Sequence, residues 1–336
     1  MIRHVKEIQP TLDNIVVLSL AHVDEDKLTL REKVIKSLNR LEKETLISQT
    51  GDTFRFLTNE EQEIDREIKN IDIERHKIVQ EIYEIIFNSN DICQRSYGDY
   101  KFNKSVDDKI TTSSEADLTI RFLTLLSDEY PSDAEQRNFT GEILSNIDSK
   151  DTLLFVFPNA SEFPSQIEKY LQIEKYLKQN RSNRTDDTLQ SILSAKNTEA
   201  LKLRDSSKLA IFEEIKTARV FIDGIEVPID FTSPKERVKD GYERLVTNVY
   251  NKSNYVTKEF ETDNDILRIL KSDDLEKFGV GKSEVNNLAL SEMLNYISVR
   301  EEKKEPVVLS ELKEKFMRKP YGWKNITISG LVATLF

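Results

Sequence analysis

The sequence predicts a mixed α+β fold, rich in helix and divided into several small units. Apolar residues recur at helical spacing in separate stretches, residues 30–41 and 64–85 among them. Short β-type runs bounded by Gly-Asp or Asp-Gly turns lie between other helical stretches. The chain has 336 residues, and a domain usually takes ~100–200, so two or three compact units are the starting expectation. An apolar fraction of 38% with 16 Phe and 11 Tyr is more than disordered chains carry, and a charged fraction of 32% implies a generously charged surface.

Leu30, Val34, Leu38 and Leu41 share one helix face. Leu46-Ile47 and Phe54-Arg55-Phe56 then flank a turn around Thr50-Gly51-Asp52, which suggests a hairpin. With residues 15–20 as an earlier strand or helix, residues 1–58 are expected to form a winged-helix-like unit. Thr58 and Glu61 have capping-box spacing at the head of a long connecting helix, residues 59–90. In it Ile64, Ile68, Ile71, Ile78, Ile82 and Ile85 take heptad-like positions, with Arg75 in the remaining slot. This stripe is expected to be buried, within its own domain or against a second copy of the chain.

Residues 91–161 change character and are expected to form a small α/β unit. Tyr97-Gly98-Asp99-Tyr100 and Pro131 mark turns, residues 118–126 are mostly apolar, and residues 153–157 form a buried strand ending at Pro158. Residues 162–260 are expected to hold a helical hairpin, a β-hairpin and a further helix. Gln-Ile-Glu-Lys-Tyr-Leu occurs twice in tandem, at 166–171 and 172–177. Six residues is not a helical period, so the copies should present different faces. A turn at Arg181-Ser182-Asn183-Arg184 leads to a second long helix, residues 186–217. Asp223-Gly224 supplies the positive φ angles of a type I′ turn inside residues 220–227, with Pro228 near an edge and a helix after Pro234. Residues 261–336 form a C-terminal helical, winged-helix-like unit with a charged break at 300–305. Its apolar close, residues 326–336, suggests a cut through a domain.

A net charge of −11 argues against a wholesale nucleic-acid coat or a polybasic membrane binder. No apolar run approaches the ~20 residues needed to span a bilayer, and no secretory leader opens the chain. One cysteine, Cys93, fits a reducing cytoplasm. The nine glycines contain no pair with P-loop spacing. Gly279-Val280-Gly281-Lys282-Ser283 has the second half of the motif, but Glu276 stands where the first glycine belongs, and the residues before it read as helix. His4, His22 and His76 are scattered and, with a single Cys, give no zinc spacing. No catalytic residue, metal site or cofactor is expected.

Lys33, Lys36, Arg40 and Lys43 sit at spacings of three, four and three beside the predicted hairpin, a basic stripe turned away from the apolar one. Such a helix can contact DNA phosphates weakly; an ordinary solvated face, diluted by Glu32, Glu42 and Glu44, is the alternative. A second basic cluster is Lys313, Lys315, Arg318, Lys319 and Lys324.

Phe56-Leu57-Thr58-Asn59-Glu60-Glu61-Gln62-Glu63-Ile64 resembles the Phe-Leu-Thr-x-Glu-Glu segment of the large P-loop proteins of BREX phage-exclusion systems, called BrxC or PglY. Glu174-Lys175-Tyr176-Leu177 and Lys319-Pro320-Tyr321-Gly322-Trp323 resemble the same family, in the same order, and the likeness spans residues 11 to 336. The resemblance implies an internal fragment of such an ATPase, lacking its P-loop domain, in the bacterial cytoplasm. It implies anti-phage defence and partnership with other BREX proteins, a DNA methyltransferase among them. The expected function is a non-catalytic regulatory or assembly region coupling the motor to partners or DNA. The alternative is a stand-alone winged-helix DNA-binding regulator.

Overall fold

The structure is a computed structural model that describes residues 8–22, 26–50, 52–88, 92–94, 96–114, 116–128, 130, 151–158, 162–180, 187–271 and 285–336. The chain divides into two compact units, Met1–Ile85 with Ala160–Glu213, and Ile86–Asn159 with Glu214–Phe336.

In the first unit, Thr11 caps helix α1 (Leu12–Leu18) and Asp26 caps α2 (Lys27–Lys43), each side chain accepting from a backbone N–H that the helix leaves unpaired. Buried Thr45, at φ +62°, stops α2 and turns the chain into the hairpin β1 (Ile47–Thr50) and β2 (Thr53–Phe56). The pairing is antiparallel, with Ile47 opposite Phe56. Thr53 also bridges Thr11, and Phe54 N–H donates to the Pro10 carbonyl, so a third extended segment lies beside the hairpin. Residues 10–56 thus comprise two helices and a hairpin; Gly51, at the expected wing tip, lies outside the described residues.

Thr58 and Glu61 form the capping box of α3 (Asn59–Lys69), with both reciprocal bonds present. The single helix expected over 59–90 is instead two, α3 and α4 (Arg75–Phe87). Asn70 caps the first, its N–H returning to the Arg66 carbonyl. The intervening carbonyls of Ile71 and Asp72 accept from Gln172 and Lys175 on α5 (Phe163–Gln179) at 3.0 Å each. Side-chain donors there replace the helical bonds, and the break is stable. The tandem copies on α5 are turned by about 240° from one another, yet Ile167, Tyr170, Ile173 and Tyr176 are all buried. A wide arc of α5 is therefore enclosed. The long helix α6 (Asp187–Thr217) completes the unit as far as residue 213. The expected turn at residues 181–184 lies outside the described residues, as does Pro131.

The second unit is built on one sheet. Its strands are β3 (Ser96–Tyr97), β4 (Tyr100–Val106), β5 (Lys109–Thr111), β6 (Leu118–Leu123), β7 (Thr152–Val156), β8 (Arg219–Ile222) and β9 (Ile225–Glu226). The order is β3-β4-β6-β7-β8-β9, with β5 also on β4. Strands β4, β6 and β7 run parallel, and the other pairings are antiparallel. Every residue of β7 is buried, as the unbroken apolar run of a central strand requires. The hairpin expected at 220–227 is not separate from the sheet: β8 adds to β7 with Leu154 opposite Phe221. Its turn has Asp223 at φ +48° and Gly224 at φ +76°. Helix α7 (Pro234–Val249) lies close on the sheet, because a Cβ at Gly241 would stand 2.9 Å from a Leu153 methyl.

Beyond α7 the described chain is helical: α8 (Asp263–Lys271), α9 (Asn287–Glu302), α10 (Leu309–Met317) and α11 (Asn325–Leu335). Helices α9, α10 and α11 share a core of Ala289, Met293, Leu312, Phe316, Tyr321, Trp323, Ile328 and Leu331. Buried Asn286 stitches α9 to the segment before α8, its side-chain oxygen accepting from the N–H groups of Thr257 and Lys258 at 2.8 and 2.9 Å.

Candidate functional site

Among the described residues, no group of His, Cys, Asp and Glu side chains is placed to hold a metal ion. Cys93 is fully buried, and burial pushes its thiol up to about 12, so it stays protonated at neutral pH and is a poor nucleophile. His22 and His76 are exposed, His76 lying 3.1 Å from the Glu74 carboxylate. His4 and the string at residues 279–283 lie outside the described residues. No helix among the described residues is long and apolar enough to cross a membrane.

Two features stand out where the sequence pointed to function. The first is the outer face of α2. Lys33, Lys36, Arg40 and Lys43 are all exposed, while Leu38 on the other face is buried and Leu30, Val34 and Leu41 are half-buried. Arg40 donates to Glu44 one turn on, at 3.1 Å. Among the described residues, Lys33, Lys36 and Lys43 have no carboxylate partner. The four cations are therefore brought together on one open helix face.

The isoleucine stripe does not form one continuous seam. Ile64 and Ile68 are buried on α3, and Ile78, Ile82 and Ile85 are buried on α4. Ile71 is half-buried in the break between the two helices.

The second feature is the cluster near the C-terminal end, whose cations are largely engaged inside the second unit. Lys319 Nζ donates to the Asp151 carboxylate at 2.7 Å and to the Asp117 carbonyl at 2.6 Å. Lys324 pairs with Glu259 at 2.7 Å and Asp99 at 3.3 Å. Arg318 pairs with Glu314, and Lys315 lies 4.5 Å from the centre of the Tyr296 ring. Asp99, Asp117 and Asp151 are the residues immediately before β4, β6 and β7. The two lysines thus meet the starting ends of all three parallel strands. The segment between them is fixed from both sides. Lys252 N–H donates to the Pro320 carbonyl at 3.1 Å, and Trp323 Nε1 returns a bond to the Lys252 carbonyl at 3.0 Å. Tyr321 donates to Glu292 at 2.7 Å, and Lys252 Nζ reaches the same carboxylate; these two bonds hold Glu292 below the usual carboxylate range. Gly322, at φ +64°, leaves room for Tyr250, whose ring would lie 2.7 Å from a Cβ there. A cleft of about 650 Å³ remains beside this joint, lined by Tyr100, Lys101, Asp117, Asn254, Glu259 and Lys324 among others.

A buried ionic network escaped the sequence analysis. Lys196 stands in the apolar stripe of α6, between Ile192 and Ala200, with its side chain 8% exposed. It meets Asp65 of α3 at 2.5 Å and Glu199 at 2.8 Å, and Lys169 of α5 meets Glu199 at 3.0 Å. A charged residue in an apolar slot was the available signal.

Comparison with known families places two matches on the chain. Residues 67–245 match the family described as the BREX ATP-binding protein BrxC 4th domain with six-stranded beta sheet. Residues 252–336 match the BREX ATP-binding protein BrxC winged helix-turn-helix domain. No solved structure matches the chain.

Proposed function

We propose that this chain, which belongs to the BrxC family of BREX ATP-binding proteins, is a non-catalytic assembly and regulatory region that couples the ATP-driven part of such a protein to its partners. The observation that carries this reading is the joint at residues 319–324. There, residues of the winged helix-turn-helix match hold Asp99, Asp117 and Asp151 of the sheet-domain match. Two domains fixed through several charge-assisted bonds respond to a load as one body, which is what a coupling element needs.

The other two segments that resemble the family support the same reading, because each is also a mechanical joint. Thr58 and Glu61 start α3 where the hairpin ends, and Leu57 N–H donates to the Leu46 carbonyl. Lys175 holds the break between α3 and α4.

The test is made in the intact ATP-binding protein with the rest of its defence system present. Lys319→Ala combined with Lys324→Ala is expected to leave ATP hydrolysis in place while association with other BREX proteins and phage restriction fall. Full restriction and association in that variant, with the joint shown by proteolysis to be loosened, would overturn the proposal.

A further inference from the structure

The winged helix-turn-helix match at residues 252–336 and the N-terminal helices with their hairpin end on helices that differ in what they offer to a nucleic acid. In residues 252–336 that helix is α11, which carries no charged side chain. Thr327, Ile328, Gly330, Leu331, Ala333 and Thr334 are buried along it. Phe260 covers it so closely that a Cβ at Gly330 would stand 2.5 Å from the ring. Lys324 at its N-cap is already held by Glu259 and Asp99. Neutralising phosphates requires exposed cations, and α11 has none: its exposed polar residue is Asn325 at the first turn.

The N-terminal unit is the reverse. Helix α2 buries one stripe and turns Lys33, Lys36, Arg40 and Lys43 outward. Among the described residues, three of the four have no carboxylate to give up. The fourth, Arg40, shares only an exposed pair with Glu44, the kind that contributes little. Residues 1–58 carry nine Lys and Arg against nine Asp and Glu, so the chain's net −11 lies entirely outside them. Most of the chain's acidity lies elsewhere: the compact unit that contains α2, residues 1–85 with 160–213, carries a net charge of −4.

We propose that α2 is the DNA-contacting helix of this chain, laying Lys33, Lys36, Arg40 and Lys43 along the phosphate backbone of duplex DNA, and that the C-terminal winged-helix region takes no part in the contact. From Lys33 to Lys43 the helix rises about 15 Å. Duplex DNA carries roughly nine phosphate charges over that length, more than enough to meet four cations. The four ammonium and guanidinium groups meet phosphates, which carry no base identity, so the contact they make is independent of base sequence. The inference stands apart from the coupling role above and does not require it.

The experiment is fluorescence anisotropy of a labelled 20-base-pair duplex titrated with the whole chain. Contacts of this kind bind with Kd of about 10⁻⁴–10⁻⁶ M at physiological salt, and more tightly at ~50 mM. With three or four phosphates neutralised, affinity should fall about 40- to 150-fold between 50 and 200 mM salt. Lys33→Glu, Lys36→Glu and Lys43→Glu together should abolish the signal without moving the melting temperature, since all three side chains are exposed. Lys313→Glu, in the C-terminal cluster, should leave binding unchanged. No binding at 50 mM salt overturns the proposal and leaves the face to an acidic protein partner. Binding that survives the triple substitution, or that Lys313→Glu removes, overturns it equally.

Discussion

Lys319 reaches Asp151 at 2.7 Å across 168 residues of sequence, and the same ammonium donates to the carbonyl of Asp117. One side chain near the end of the chain thereby ties the starts of β6 and β7 to the helical region. The pair is about one-third exposed on each side, so its own worth is modest. A double-substitution cycle of Lys319→Ala and Asp151→Asn should give a coupling of about 1 kcal/mol by thermal or urea unfolding. Lys319→Ala alone should cost somewhat more, because it also leaves the Asp117 carbonyl without its charged donor. Strictly additive single substitutions would mean the pair does not join the two regions.

The parts of this fold legible in the sequence were the ones decided locally. Thr58 with Glu61, Asp223 with Gly224, and the apolar run of β7 announce a helix start, a tight turn and a central strand from neighbouring residues alone. The break at residues 70–74 was not legible, because the donors that stabilise it, Gln172 and Lys175, come from 101 and 103 residues away. The attachment of β8 to β7 was hidden for the same reason, with two long helices between the partners. Of the candidate sites, the open cationic face of α2 followed from helical spacing. The C-terminal cluster looked equally basic, and only its distant carboxylates show that Lys319 and Lys324 are spent internally.

Lys196 gives the sharpest stability prediction. Burial alone would lower its pKa, but the Glu199 and Asp65 carboxylates hold the ammonium above its ordinary value. Lys196→Met keeps the stem and removes the charge, leaving Asp65 nearly buried with its main partner gone. The expected loss is about 3 kcal/mol, as when one partner of a buried pair is removed. Adding Asp65→Leu should recover most of it, since the orphaned carboxylate is then gone as well. A double variant no more stable than Lys196→Met would show that the network acts through packing and not through charge.

Asp107 should make stability depend on pH in mildly acid solution. It is fully buried at the turn after β4, accepts from the Thr124 N–H and hydroxyl at 2.7 Å each, and burial lifts its pKa from 3.8 to about 6. Because the folded value is the higher one, its favourable contribution is complete below pH 3.8 and is lost as pH rises through 6. The loss is on the order of 3 kcal/mol. Asp107→Asn keeps an acceptor for the Thr124 N–H, offers a donor to the hydroxyl, and suits the φ of +49° at this position. Unfolding of parent and variant compared from pH 4 to pH 7 should therefore show the Asn form gaining ground on the parent up to about pH 6 and holding that gain above it. A constant difference across that range would mean Asp107 does not titrate there.

The isoleucine stripe is tested by unequal effects along it. Ile82 has no exposed surface on α4, whereas Ile71 is half-buried in the break, with its carbonyl held by Gln172. A carboxylate at position 82 has no water and no partner, so Ile82→Asp should cost at least ~4 kcal/mol and prevent folding at moderate temperature. At position 71 the new carboxylate can turn toward solvent. Ile71→Asp should then cost only about 1–2 kcal/mol, the loss of a partly buried apolar side chain. Ile82→Ala, which leaves a cavity and no charge, should fall between the two and keep the chain folded for measurement. Equal losses at 71 and 82 would restore a single continuous helix through residues 70–74, with Ile71 facing the same core as Ile82.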